Sequence, residues 1–240
     1  MRTVPEDPDD RVILITGASS GIGAATARAA SEAGYRVVLG ARRKRELDKL
    51  ARELGGADRA LSRGCDVTNW SDVEGLVEAA LSRFGQVDAV FANAGFGAKR
   101  GFLEESVEHW KAMIDTNILG VALTIRATLP HLLDRGSGHY LLTGSIAGRR
   151  IIPGSLYSAT KWAVSAMGES LRQELRGTHS SESIRVTVIA PGMVDTEFFD
   201  EPPSKALGAG DIAAAAMYAL SQPPHVDVNE IVVRPASQAG

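Results

Sequence analysis

Tyr157 and Lys161 stand four residues apart in Tyr157-Ser158-Ala159-Thr160-Lys161, and Ser145 precedes the tyrosine by twelve residues. Positions i and i+4 share one face of a helix, so a phenol and an ammonium would lie side by side. The cation favours ionisation of the phenol, whose ordinary pKa is about 10. A tyrosine tuned in this way can exchange a proton with an alcohol or a carbonyl near neutral pH. Tyr…Lys at helical spacing is common by chance. It gains weight from what the start of the chain contains.

That start is Thr16-Gly17-Ala18-Ser19-Ser20-Gly21-Ile22-Gly23, preceded by the apolar run Val12-Ile13-Leu14-Ile15 and followed by an alanine-rich stretch from Ala24 to Ala33. The run suits a strand buried on both faces, and the alanines suit a helix. Strand, glycine turn and helix together form a dinucleotide site. Gly17 permits the tight turn, Gly21 lets backbone approach a pyrophosphate, and Gly23 lets helix and strand pack closely. Ser19, Ser20 and Ile22 complete the turn, and the helix N-terminus faces the phosphates.

Strands alternate with helices along the rest of the chain, predicting a Rossmann-like three-layer α/β/α sandwich with a parallel sheet of about seven strands. The expected strands are 12–16, 35–40, 60–65, 88–92, 138–143, 184–190 and 230–233. The expected helices are 21–33, 43–54, 69–84, 106–134, 155–177 and 210–220. Residues 1–10 read as a flexible leader and 11–240 as a single domain, with a short lid at about 192–209. At 240 residues the chain can bury one sizeable core, and a net charge of −3 gives no electrostatic reason for nucleic-acid or membrane binding. No apolar stretch is read as spanning a bilayer. Cys65 is the only cysteine, which excludes an internal disulfide and suits a reducing, cytoplasmic setting. The five histidines are widely spaced, so no metal site is expected.

With TGASSGIG at 16–23, CDVT at 65–68, NAG at 93–95, Asn117 in DTNILG, GS at 144–145, YSATK at 157–161 and PG at 191–192, the chain resembles a short-chain dehydrogenase/reductase of the compact single-domain type. The likeness runs from about Arg11 to Pro235. It implies Tyr157 as general acid/base, with Lys161 lowering its pKa and binding the nicotinamide ribose. Ser145 would hydrogen-bond the substrate oxygen, and the backbone of Asn117 would hold a water that links Lys161 to bulk solvent. Asp66 would accept from the adenine amino group with Val67 beside it, although an acid here also suits a helix cap or turn. Asn93, Ala94 and Gly95 would flank the adenine ribose. Pro191, Gly192, Val194 and Thr196 would shape the nicotinamide pocket.

NAD-selective members of such folds place an acid at the end of the second strand to hold the ribose 2′-hydroxyl. Here that position is Ala41, followed by Arg42 and Arg43. A guanidinium matches a phosphate dianion, so NADP(H) is favoured over NAD(H). Arg42 is the first choice, and Arg43 also suits the start of a solvated helix. The expected substrate walls are Phe96, Ile146, Ala147, Met193, Phe198 and Phe199, with Ile151 and Ile152 equally suited to the core. Lys99, Arg100, Arg149 and Arg150 would meet a carboxylate only if one pointed inward, surface exposure being the default. The resemblance also implies a homodimer or homotetramer.

The sequence therefore predicts an NADP(H)-dependent oxidoreductase interconverting a ketone or aldehyde with an alcohol. A β-hydroxy-acid dehydrogenase and a broad ketone or 3-oxoacyl-carrier reductase compete within that reading. The alternative is a catalytically idle NADPH-binding sensor or scaffold.

Overall fold

Strand β1 (Val12–Thr16) lies between β2 (Arg36–Ala41) and β4 (Ala89–Ala92), and every one of its residues is buried. Its side chains alternate between two cores, as the pleat requires. Ile13 and Ile15 join Leu39, Phe91 and Ile189 on one face, whereas Val12 and Leu14 join Val38, Val90 and Leu142 on the other. Burying each such aliphatic side chain stabilises the fold by about 1.5–3 kcal/mol. The computed structural model describes residues 11–197 and 205–238. The expected leader at 1–10, and Phe198 and Phe199 of the expected lid, lie outside the described residues.

The remaining strands are β3 (Ala60–Gly64), β5 (Gly138–Thr143), β6 (Ile184–Pro191), a two-residue pair β7 (Val194–Asp195) and β8 (Leu207–Gly208), and β9 (Glu230–Val233). The main sheet has seven strands in the order β3-β2-β1-β4-β5-β6-β9, all parallel. Chain direction across the sheet reverses its progression between β1 and β4. At that switch point the carboxyl ends of the strands leave a crevice for a ligand.

Helices α1 (Gly21–Glu32), α2 (Lys44–Glu53), α3 (Trp70–Phe84), α4 (Val107–Ile114), α5 (Gly120–Arg135), α6 (Leu156–Gly177) and α7 (Ala209–Ser221) cover the two faces. Asn69 starts α3 by accepting hydrogen bonds from Ser71 N–H and Asp72 N–H, and left-handed Gly85 ends it. The helix expected over 106–134 is interrupted. Residues Asp115–Leu119 form a π turn between α4 and α5, and Asn117 lies within it. Such a wide turn re-aims a side chain that a regular helix would direct elsewhere. The whole rod, Val107–Arg135, is long and apolar enough to cross a membrane, which corrects the expectation that no stretch is. Here α5 rests against α3, β4 and β5. Within the stretch expected to be an irregular lid, β7 and β8 instead form a parallel pair, while 198–204 lie outside the described residues.

A dinucleotide cleft with a Ser–Tyr–Lys centre

Of the described site residues expected from the sequence, all but Gly23 and Asn117 line one cleft of about 880 Å³ at the carboxyl ends of the strands. At its floor, Gly17 has φ +65°, and a Cβ there would lie 2.8 Å from Ala94 Cα. A Cβ on Gly23 would come within 2.4 Å of Gly17 O. The turn therefore closes only with these two glycines, and the cradle it leaves suits a pyrophosphate.

Asn93 ties three strand ends together. Its Nδ2 donates to Thr16 O at 3.1 Å and to Gly17 O, while its Oδ1 accepts from Thr143 Oγ1 at 3.1 Å. Its side chain is thus committed to the scaffold, and Asn93, Ala94 and Gly95 line the cleft as a fixed turn. Asp66 Oδ1 accepts from Thr68 N–H and Thr68 Oγ1, an Asx-type turn of the kind anticipated as its other use. Burial opposes ionisation of Asp66, but the Thr68 bonds and the charge of Arg42 hold its carboxyl below the usual value. Val67 packs beneath it, against the space a Cβ on Gly120 would need. Neighbouring Cys65 is buried, and burial pushes its thiol up to about 12.

Arg42 and Arg43 both border the cleft. Arg43 is the one held over the glycine turn. Its Nε donates to Ser19 Oγ at 3.1 Å, its Nη2 to Ser20 Oγ and its Nη1 to Glu197 at 2.8 Å. Nothing in the sequence around Glu197 signalled this contact. The loop that carries Glu197 runs from Pro191 and Gly192 through Met193, Val194 and Thr196. Thr196 sits against Gly21, with Cγ2 3.2 Å from where a Cβ there would be. Gln238, also unforeseen, fixes the loop by accepting from Met193 N–H at 3.1 Å.

Ser155 caps α6 by accepting from Ser158 N–H at 3.2 Å. That cap puts Tyr157 in the first turn and Lys161 one turn further on. Ser145, at the end of β5, accepts from Ala147 N–H at 3.1 Å and is hydrogen-bonded to Tyr157. Lys161 is buried, and its Nζ donates to Thr143 O at 2.7 Å and lies 5.7 Å from the Tyr157 ring centre. Loss of solvation draws Lys161 down to about 8. Burial pushes Tyr157 up to about 12, against the opposing hydrogen bond from Ser145. Desolvation therefore outweighs the acidifying effect expected of Lys161 on the phenol.

Asn117 is fully buried and braces the floor. Its Oδ1 accepts from Phe96 N–H at 3.0 Å, and its Nδ2 donates to Phe96 O at 2.9 Å and Thr160 Oγ1 at 3.1 Å. Phe96, Ile146, Ala147 and Met193 line the same cleft as Tyr157. Ile151 and Ile152 line it too, and Ile151 is 81% exposed, which removes it from the core. Arg100 and Arg150 are exposed, as the default expects, and also border the cleft. Arg149 instead pairs with Glu230, away from the cleft.

The family model described as short chain dehydrogenase matches residues 11–206. An uncharacterized oxidoreductase of Staphylococcus saprophyticus is 43% identical over 232 residues, covering 94% of this chain and 97% of that protein. An alcohol dehydrogenase from the archaeon Thermococcus sibiricus, solved with 5-hydroxy-NADP, superposes with a TM-score of 0.87 at 37% identity. The match covers 96% of this chain and 98% of that one. A 3-ketoacyl-(acyl-carrier-protein) reductase from Brucella melitensis, solved with NADH, gives 0.86 at 30% identity, over 96% and 99% of the two chains.

Proposed function

Since this chain belongs to the short chain dehydrogenase family and is an oxidoreductase, we propose that it interconverts a ketone or aldehyde with an alcohol using NADP(H). The observation that carries the reading is the convergence of Ser145, Tyr157 and Lys161 on one cleft with the glycine turn. The same convergence favours a working enzyme over an idle sensor.

The residues present fit a dinucleotide: a cradle that a Cβ on Gly17 or Gly23 would fill, and cationic side chains at its outer edge. Gly17, Ser19, Ser20, Gly21, Ile22 and Gly23 would hold the pyrophosphate, and Asp66, Val67 and the 93–95 turn the adenosine. Pro191, Gly192, Val194 and Thr196 would hold the nicotinamide end. When bound, the cofactor supplies or takes the hydride. NADP(H) is favoured over NAD(H) because Ala41 offers no acid to repel a 2′-phosphate, while Arg42 and Arg43 offer guanidinium groups.

In the reductive direction Tyr157 gives its phenolic proton to the substrate oxygen. Its elevated pKa keeps that proton in place at neutral pH. Ser145 accepts from Ala147 N–H and is hydrogen-bonded to Tyr157, so its hydroxyl is held where it can turn to the same oxygen. Lys161, with a pKa near 8, can replace the proton from beneath and carry charge when the phenol loses it. Asn117 holds the floor on which this relay rests and would continue it toward solvent.

Exposed Ile114, Leu119 and Trp162 on the α4–α6 side support a homodimer or homotetramer. The free, buried Cys65 suits a reducing cytoplasm. The test is oxidation of NADPH and of NADH against ketones, aldehydes and β-keto acids, with alcohol oxidation alongside. NADPH-dependent turnover of one chemical class is expected. NADPH binding without turnover on any class would count for the sensor.

A further inference from the structure

The substrate end of the cleft is closed by two loops that are pinned together. Gly101 N–H donates to Gly154 O at 2.8 Å. Gly101 has φ +109° and Gly154 φ +68°, and a Cβ on Gly154 would lie 2.9 Å from Gly101 N. Side chains are therefore excluded from the pin on both strands of the contact. Each loop is also anchored behind it. The first is held by the Asn117 bonds to Phe96 and by His109 Nε2 against Gly97 O at 2.8 Å. The second is held by Ser158 Oγ, which accepts from Ile152 N–H at 3.3 Å.

Each loop presents one arginine to the cleft: Arg100, next to the pin residue Gly101, and Arg150, four residues before Gly154. Their neighbours in the wall are apolar, chiefly Phe96, Ile146, Ile152 and Pro153. Among the described residues neither guanidinium has a hydrogen bond or an ion pair, and no acid lines this end. The acids elsewhere in the cleft lining are engaged, Glu197 by Arg43 and Asp66 by Thr68. Adjacent charges are used differently: Arg149 is paired with Glu230, and Glu105 faces His109. Two unneutralised guanidinium groups facing one apolar mouth attract an anion and disfavour a cation.

We propose that Arg100 and Arg150 form an anion-recognising rim, so that the preferred substrate carries a carboxylate or phosphate remote from its reacting carbonyl or hydroxyl. This rests on the oxidoreductase reading above and assigns its substrate class. The anionic group sits between the loops at the rim, while the reacting oxygen meets Ser145 and Tyr157 below. Binding there discriminates through KM, because the rim contacts are the same before and during the chemical step.

The test uses the full chain loaded with NADPH and three substrates that share one keto group: acetoacetate, its neutral methyl ester, and the acetoacetyl thioester of phosphopantetheine. The wild-type protein is expected to favour an anionic substrate over the methyl ester by about tenfold or more in kcat/KM. Preference for the free acid names a carboxylate as the ligand, and preference for the thioester names a carrier phosphate. Arg100→Ala and Arg150→Ala should each raise KM for that substrate by about tenfold, leaving kcat and the ester's KM within about twofold. Arg→Lys at either position should restore part of the loss, and added salt should raise KM for the anion alone. Equal kcat/KM for acid, thioester and ester in the wild type would overturn the proposal, as would a uniform loss on all three in the variants. Calorimetric titration of the same compounds separates the two readings. Anion binding that the arginine variants lose supports the rim even without turnover, and equal binding of anion and ester refutes it. Absence of turnover counts against the oxidoreductase reading only.

Discussion

Arg43 and Glu197 form an ion pair at 2.8 Å across the mouth of the dinucleotide cleft, although 154 residues separate them. The same guanidinium is held by Ser19 and Ser20, so Glu197 competes with a nucleotide phosphate for Arg43. Arg43→Ala should weaken NADPH binding by about tenfold and NADH binding much less, since only NADPH carries the extra phosphate. Glu197→Gln should tighten NADPH binding by a few fold, a small effect because the pair is exposed. Fluorescence titration of both nucleotides checks this. Equal losses for NADPH and NADH in Arg43→Ala would make the residue a structural one.

Much of this arrangement was legible in the sequence. Buried runs such as Val12–Ile15 and Val37–Leu39, separated by helical stretches, predicted the parallel sheet, and the glycine turn lies where that pattern put it. The π turn at Asp115–Leu119 was not legible, because helical periodicity does not distinguish a local i+5 bond from i+4. Nor was the placement of Arg43, Arg100 and Arg150 on the cleft. A run of arginines looks alike whether it faces solvent or a cleft, and the answer here came from distant partners. For Arg43 it was Glu197, and for Arg100 the pin between Gly101 and Gly154.

His139 on β5 is buried, and its Nε2 lies 2.8 Å from Thr187 Oγ1. Thr187 Oγ1 itself donates to Val228 O, so His139 Nε2 carries the hydrogen and Nδ1 is bare, without a partner among the described residues. Burial, helped by the charge of Arg185, draws its pKa down to about 3. The unfolded chain protonates near 6.5, so its contribution is fully present above that pH and is lost as pH falls toward 3. The wild type should lose about 3 kcal/mol more than His139→Gln between pH 7 and pH 4. Denaturant titration at both pH values checks it, and parallel losses would contradict it.

Lys161 offers the opposite window. Its pKa, about 8 in the fold, lies below the value near 10.5 of the unfolded chain. The unfolded state thus binds more protons between these values, and stability should rise with pH from 8 to 10.5. Lys161→Met should be more stable than the wild type at pH 7, by about 3 kcal/mol at most, and lose that advantage above pH 10. The same variant should be inactive. Thermal unfolding across pH reads the first claim, and a stability difference independent of pH would rule out a strained buried ammonium.

In the proposed reaction Tyr157 moves the proton while the scaffold and cofactor site stand apart from it. The most direct measurement is single-turnover and steady-state kinetics of Tyr157→Phe beside its NADPH dissociation constant, with a substrate the wild type turns over. Removal of the hydroxyl should lower kcat by about 10³-fold. NADPH affinity should stay within about threefold, because the ring still packs over Lys161. Full turnover by Tyr157→Phe would contradict the account and require another group to carry the proton.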